Sequence, residues 1–239
     1  MAKQKRKPKK KSIFKKLKLW TALITTLVIG KISYQIYQAP SVMFKPLEQY
    51  FMKTPKQTVS SYMKDFTRAE NRKIEAEFLA AVVQQESSGN PLATTDWGFR
   101  WSLNPVNWYR PFSSATGAFQ ITRPTWQTYL RACKNLCDPP RWATRLSVGD
   151  SSALVSNWYF KKLLENRLIG TRSKRSRTFL SILHLCGQRR AERWLRNGHS
   201  LKKMRCGYHR VSKYINSLER HYQGFKKITQ TNPSFIAKR

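Results

Sequence analysis

The sequence predicts a mainly α fold, and three observations carry that prediction. Apolar residues recur at four-residue spacing, as in Ile74, Phe78 and Val82, with Leu79 and Val83 widening the face. Strand signals are sparse and no internal repeat is visible. An aromatic content of 13%, with 8 Trp, supplies enough apolar surface for a real core, and 239 residues allow one ordinary domain plus extensions.

Taken in order, residues 1–18 hold ten basic residues and no acidic one and read as a basic cytoplasmic arm. The apolar run Leu19 to Gly30 follows, is interrupted by Lys31, and continues weakly through Ile32, Tyr34, Ile36 and Tyr37. A membrane span needs ~20 predominantly apolar residues, so the run is short. With Trp20 and Tyr34 or Tyr37 at the interfaces and Lys31 snorkelling, residues 19–38 read as a transmembrane signal anchor. The positive-inside rule leaves the N-terminus cytoplasmic and the rest outside. No clear small-x-small site follows the run, which favours a retained anchor over a cleaved signal.

Residues 39–66 read as a stalk, and 67–225 as the main folded domain. Thr67-Arg68-Ala69-Glu70 has the capping-box pattern that opens a helix; Gly89-Asn90-Pro91 stops it, glycine suiting a left-handed cap. Residues 92–116 are loop-like and dense in rings: Trp97, Phe99, Trp101, Trp108, Tyr109 and Phe112. Pro124 starts a helix through Trp126, Tyr129 and Leu130, and Asp150 caps one reaching about Asn166. Arg172–Arg177 reads as a basic loop. Helices are expected over Thr178–Leu185, Gln188–Arg196 and Tyr208–Tyr222, with 226–239 a basic tail.

Charge bounds the function classes. Lys+Arg number 46 against 12 Asp+Glu, a net +34, so nucleic acid, anionic lipid and anionic wall polymers all fit as partners. Cys133, Cys137, Cys186 and Cys206 would face an oxidising compartment, and their three connectivities stay open. Zinc binding by these cysteines with His184, His199, His209 or His221 lacks convincing paired spacing. No metal or cofactor is therefore expected.

The scarcity of acids permits elimination. Glu48, Asp65 and Glu70 lie in the stalk or at a helix start, Glu75 and Glu77 begin the same helix, and Asp150 is a cap. Glu165, Glu192 and Glu219 sit among Lys and Arg as solvated partners would. Glu86, Asp96 and Asp138 are left. Glu86 continues the apolar row into the last helical turn, where partial burial and the negative helix end both disfavour its charge. Both would raise its pKa, as a general acid requires. Asp96 is the best second carboxylate for a hydrolase, though a turn role explains it more simply, as turn chemistry explains Asp138 beside Pro139-Pro140.

The run Gln85-Glu86-Ser87-Ser88-Gly89-Asn90-Pro91-Leu92-Ala93 resembles the signature of the soluble lytic transglycosylases, relatives of goose-type lysozyme. Gly117-Ala118-Phe119-Gln120-Ile121, followed by Pro124 and a helix, is similar to the family's Gly-Leu-Met-Gln-Ile block. The third block, normally Ala-Tyr-Asn-Ala-Gly, is reduced to Ile182-Leu183-His184-Leu185-Cys186-Gly187, with His184 in the place of the Asn. The longer gap between Glu86 and Gly117 is filled by the aromatic segment. The resemblance covers about residues 70–225 and implies a lysozyme-like helical domain behind the N-terminal anchor.

It further implies a peptidoglycan lytic transglycosylase. Glu86 would protonate the oxygen between N-acetylmuramic acid and N-acetylglucosamine, then act as base on the C6 hydroxyl to close a 1,6-anhydro ring. One carboxylate suffices for that route, whereas ordinary glycosidases use two. Ser87, Gln120 and His184 are the candidate substrate-binding residues, His184 being equally a structural histidine; Trp101, Trp108 and Tyr109 are weaker candidates for sugar stacking. The alternatives are a muramidase-type hydrolase of the same bond and a non-catalytic binder of nucleic acid, polyanion or glycan. Expected partners are peptidoglycan strands and the inner membrane through residues 19–38, with a secretion or division machine as a further candidate. The catalytic domain would work in the periplasm, away from nucleic acid.

Overall fold

A computed structural model describes residues 10–38, 40–70, 74–99, 101–103, 108–133, 174–198 and 200–232. The helix expected after Asp150, together with Cys137, Asp138, Glu165 and His199, lies outside the described residues.

Helix α1 spans Lys10–Gln38, a 3-10 helix follows at Pro40–Leu47, and α2 is the single turn Glu48–Phe51. The apolar side chains of α1 are exposed on all sides, Trp20, Leu27 and Ile29 among them. The helix contains the segment expected over 19–38 and extends it at its N-terminus. Lys31 and the polar residues around it dilute its apolar content, and among the described residues no helix is long and apolar enough to cross a membrane.

Where a stalk was expected over 39–66, Pro55–Ala69 form α3. Its start carries both halves of a capping box: Thr54 Oγ1 accepts from the Gln57 amide at 3.4 Å, and Gln57 Oε1 accepts from the Thr54 amide at 2.9 Å. Pro55 supplies the first helical residue without losing a needed donor. Val59, Tyr62, Met63 and Phe66 fall on one face and are buried in the common core. Thr67–Glu70, read from sequence as a helix start, is therefore the last turn of α3 and its C-cap. Ile74 is buried as expected but sits in an isolated bridge before the next helix.

That helix, α4, spans Ala76–Ser87. Phe78 through Val83 are all at most 2% exposed, so α4 is the central helix, apolar around its circumference because neighbours cover it. Ser88 takes the left-handed conformation (φ 51°) with its amide on Gln84 and Val83 carbonyls, and Gly89 follows at φ 71°. A Cβ at Gly89 would lie 2.5 Å from Thr58 Oγ1 and 2.9 Å from Lys53 Cβ, so space as well as backbone demands glycine.

The aromatic segment contains strands where a loop was expected. β1 (Trp97–Phe99) pairs antiparallel with β2 (Tyr109–Pro111) in the register Trp97 to Pro111. The Phe112 ring fills the place of a side chain at Gly98, where a Cβ would meet it at 2.3 Å. Helix α5 (Arg123–Cys133) begins beside Pro124 as expected, and α6 spans Lys174–Cys186. Lys174 to Arg177 thus form the first turn of α6, not a loop.

Helix α7 (Gln188–Arg196) matches its expected bounds, and a short hairpin, β3 (Arg205–Cys206) and β4 (His209–Arg210), leads into α8 (Val211–Thr231). The first residues of the expected tail, 226–231, continue α8, because Phe225 is buried in the core and Thr229 Oγ1 donates to Glu77 at 3.1 Å. The Cys186–Cys206 disulfide, with Cα atoms 5.4 Å apart, ties the end of α6 to β3.

Helix α8 lies antiparallel against α4: Tyr214 meets Glu86 at one end, and the Tyr222 hydroxyl donates to Glu75 at 2.6 Å at the other. Arg177 joins α6 to this pair. It donates to both Glu219 oxygens, at 3.1 and 2.9 Å, and stacks 4.1 Å over the Tyr222 ring. Glu219, expected as a solvated partner, is thereby part of a half-buried ion pair.

Candidate active site

The end of α4 is fixed from one side by the start of α3. Lys53 donates its amide to the Ser88 carbonyl at 2.7 Å, and Gln84 donates to the Lys53 carbonyl at 3.1 Å. Thr58 donates to Gln84 Oε1 at 2.8 Å, and Tyr62 to the Gly89 carbonyl at 3.0 Å. These bonds occupy polar groups that a helix terminus otherwise leaves to water. They hold Glu86 in a set direction.

Glu86 opens on a cleft of about 390 Å³, whose walls include Thr95, Ala115, Gln120, Thr125, Leu183 and His184. One wall is the turn at Gly117–Gln120. Gly117 and Gln120 both have positive φ, and Thr116 bridges to Thr94 and to Ile121. Gln120 Nε2 donates to the Ala93 and Gly117 carbonyls, at 3.0 and 2.9 Å. Both amide protons are then engaged, which leaves the amide oxygen as the group it can turn to a ligand.

The opposite wall is the end of α6, which brings His184 Nε2 to 3.4 Å from Glu86 Oε1. The Tyr214 hydroxyl, from α8, donates to the same oxygen. Oε1 is thus held by two groups from two helices, while Oε2 has no hydrogen-bond partner among the described residues.

The electrostatic balance at Glu86 differs from the sequence expectation. Burial does push its pKa up. The positive charge and hydrogen bond of His184, the Tyr214 hydrogen bond and the charge of His209 outweigh burial and leave the carboxyl below its ordinary value. The sequence argument weighed burial and the helix end alone; the lowering groups arrive from α6, β4 and α8. The Tyr214 hydroxyl moves the other way, raised well above its usual value by burial and by the adjacent carboxylate.

The remaining candidates separate cleanly. Ser87 is 9% exposed and donates its hydroxyl to the Val83 carbonyl at 3.0 Å, so it supports the helix end and does not line the cleft. Asp96 faces a different groove, where it pairs with Lys45 at 3.1 Å. Glu86 is the one carboxylate among the described residues lining the cleft. Trp101 and Trp108 stack on each other, centroids 5.8 Å apart, outside the cleft. Among the described residues no group of His, Cys, Asp and Glu could hold a metal ion.

Neither Tyr214 nor His209 has a role beside Glu86 in the sequence reading; His209 is weighed there only as a zinc ligand and set aside. The one signal for Tyr214 was its place in the row Tyr214, Leu218, Tyr222 on the last helix, which reads equally as core.

Fold and site define a mainly helical domain whose cleft, with polar and apolar walls, is lined by one carboxylate among the described residues, Glu86. The family model for the transglycosylase SLT domain matches residues 65–203, more than half of the chain, and the protein belongs to that family. The matched stretch begins inside α3, in keeping with the burial of that helix in the core. The family is one of glycan-cleaving transglycosylases acting on peptidoglycan strands. Neither the comparison with curated proteins nor that with solved structures finds a match.

Proposed function

We propose that the protein is a lytic transglycosylase cleaving the β-1,4 bond between N-acetylmuramic acid and N-acetylglucosamine, leaving 1,6-anhydromuramic ends. The observation that carries this reading is the cleft's carboxylate count. Among the described residues Glu86 is the one carboxylate lining the cleft, whereas retaining and inverting hydrolases set two about 5 Å or about 6.5–9.5 Å apart, and Asp96 is engaged elsewhere.

Glu86 donates its proton to the glycosidic oxygen as the bond to the muramic ring breaks. It then takes the proton of the C6 hydroxyl as that oxygen closes on the ring. The acid's proton is restored and no water is consumed. A glycan that displaces water from the cleft disfavours the charged carboxylate, so substrate binding itself returns the Glu86 carboxyl toward its protonated state. Gln120 orients the glycan through its amide oxygen, and Tyr214 holds the acid.

The enzyme is held at the outer face of a bacterial inner membrane through residues 19–38, with the catalytic domain in the periplasm. The basic arm, the exposed apolar residues of α1 and the Cys186–Cys206 disulfide support this placement.

Incubation of the full chain with purified peptidoglycan, followed by mass analysis of the fragments, tests the reading. Anhydro-terminated muropeptides are expected, and Glu86→Gln abolishes them. Reducing-end products would instead make the protein a muramidase, and binding without products a glycan-binding module.

A further inference from the structure

Exposed apolar surface is distributed unevenly over this molecule. Every exposed large apolar or aromatic side chain among the described residues lies within 14–52 or 99–112, except Tyr208. Phe99, Trp101 and Leu103, at the β1–β2 hairpin, are 79, 86 and 98% exposed. Soluble monomers rarely leave such patches to water.

The two stretches form one surface. Val28, Ile32 and Ile36 of α1, Met43 of the 3-10 helix, and Trp97 and Phe99 of β1 line a single groove of about 860 Å³. Lys45 clamps it, donating to the Thr94 carbonyl at 3.0 Å and pairing with Asp96 and Glu48. The hairpin therefore stands beside the C-terminal half of α1.

We propose that the β1–β2 hairpin is a lipid-contacting wedge, which enters the headgroup region of an anionic bilayer alongside α1. Three observations favour lipid over glycan as its occupant. Leu103 and Phe99 offer hydrocarbon, whereas a sugar face calls for an open ring; the inner faces of Trp101 and Trp108 are taken by each other. Among the described residues the hairpin's strands pair and Trp108 Nε1 donates to the Ser102 carbonyl at 2.6 Å, so these polar groups need no sugar partner. The charge is complementary, because Lys31 of α1 lines the same groove and Arg110 is exposed on β2.

The consequence for the enzyme is positional. The feet of the hairpin are part of the active-site wall: Thr95 Oγ1 donates to the Ser113 carbonyl at 2.7 Å, and Thr95 and Ala115 line the cleft. A hairpin seated in lipid sets the cleft against the membrane, facing the glycan nearest to it.

The test uses the full chain carrying Trp20→Phe, which removes the tryptophan of α1. It is mixed with phosphatidylethanolamine–phosphatidylglycerol vesicles bearing brominated acyl chains. Strong quenching of tryptophan fluorescence is expected, reduced to a small remainder when Trp101→Phe and Trp108→Phe are added. In the otherwise unaltered chain, Phe99→Ser with Leu103→Ser should weaken vesicle binding at least ~tenfold, with the circular dichroism unchanged. The phenylalanine variants keep the apolar surface, so the quenching readout survives if the serine pair misfolds. Absence of vesicle binding, or binding without quenching of the hairpin tryptophans, overturns the proposal. So does shielding of those tryptophans by glycan strands and not by lipid. Lipid contact is read without turnover, so this result and the proposed cleavage reaction stand or fall separately.

Discussion

The hydroxyl of Tyr214 donates to the carboxylate of Glu86 across 128 residues of sequence, on the oxygen that His184 also approaches. The bond favours the charged carboxylate and is one of the causes of its lowered pKa. Tyr214→Phe keeps the ring and removes the donor. We expect kcat to fall about tenfold, the worth of one hydrogen bond to a charged group, with KM little changed because Tyr214 holds the acid and not the glycan. The carboxyl pKa rises, so the loss of activity on raising the pH moves to higher pH. A rate–pH profile checks both statements.

His184→Asn removes the positive charge that heads the lowering influences on Glu86. The general acid then keeps its proton to higher pH, and the alkaline limb of kcat/KM shifts upward. An unshifted limb in this variant would show that the 3.4 Å approach of His184 does not set the acidity of Glu86.

Arg177 and Glu219 make a stability prediction with a defined sign. Burial lifts the Glu219 carboxyl, but the Arg177 and Gln223 hydrogen bonds and the charges of Arg177 and Lys174 reverse this and leave it below its ordinary value. A depressed carboxyl stabilises the fold above its unfolded pKa of about 4.3 and loses that contribution as pH falls through the folded value. Glu219→Gln should therefore cost about 1–2 kcal/mol at pH 7, with the difference from the parent shrinking on acidification below about pH 4. Denaturant unfolding at pH 7 and pH 3 measures it.

The Cys186–Cys206 bridge closes a loop with a sequence separation of 20, for which chain entropy gives about 3 kcal/mol. Reduction should lower the melting temperature by several degrees. It should also reduce activity before global unfolding, because His184 lies two residues from the bridge. Parallel thermal melts and turnover assays, with and without reductant, separate the two effects.

Gly89→Ala places a Cβ against Thr58 and Lys53 at a backbone of φ 71°. We expect a loss of about 1–3 kcal/mol, read by denaturant unfolding. A lower kcat should accompany it, because the same contacts hold the end of α4.

Much of the architecture was legible because it is local. The bounds of α7, the start of α5 beside Pro124 and the placing of Glu86 in a final helical turn follow from spacing, capping and proline chemistry. The stalk reading failed at α3 for a local reason too. Thr54-Pro55 with Gln57, and the row Val59, Met63, Phe66, were as readable as the Thr67–Glu70 pattern that displaced them.

The choice of Glu86 as the candidate acid was legible in the sequence, since few carboxylates exist and one continues an apolar row to a helix end beside Ser87, Asn90 and Pro91. Tertiary structure decided its company and its charge. Tyr214 from α8 and His184 from α6 reach one oxygen of Glu86, Ser87 turns away to Val83, and Asp96 turns to Lys45. A helix period reports which face is apolar, not which distant side chain will meet it. The direction of a pKa depends on those meetings, because desolvation and a neighbouring charge act with opposite sign over a few ångströms.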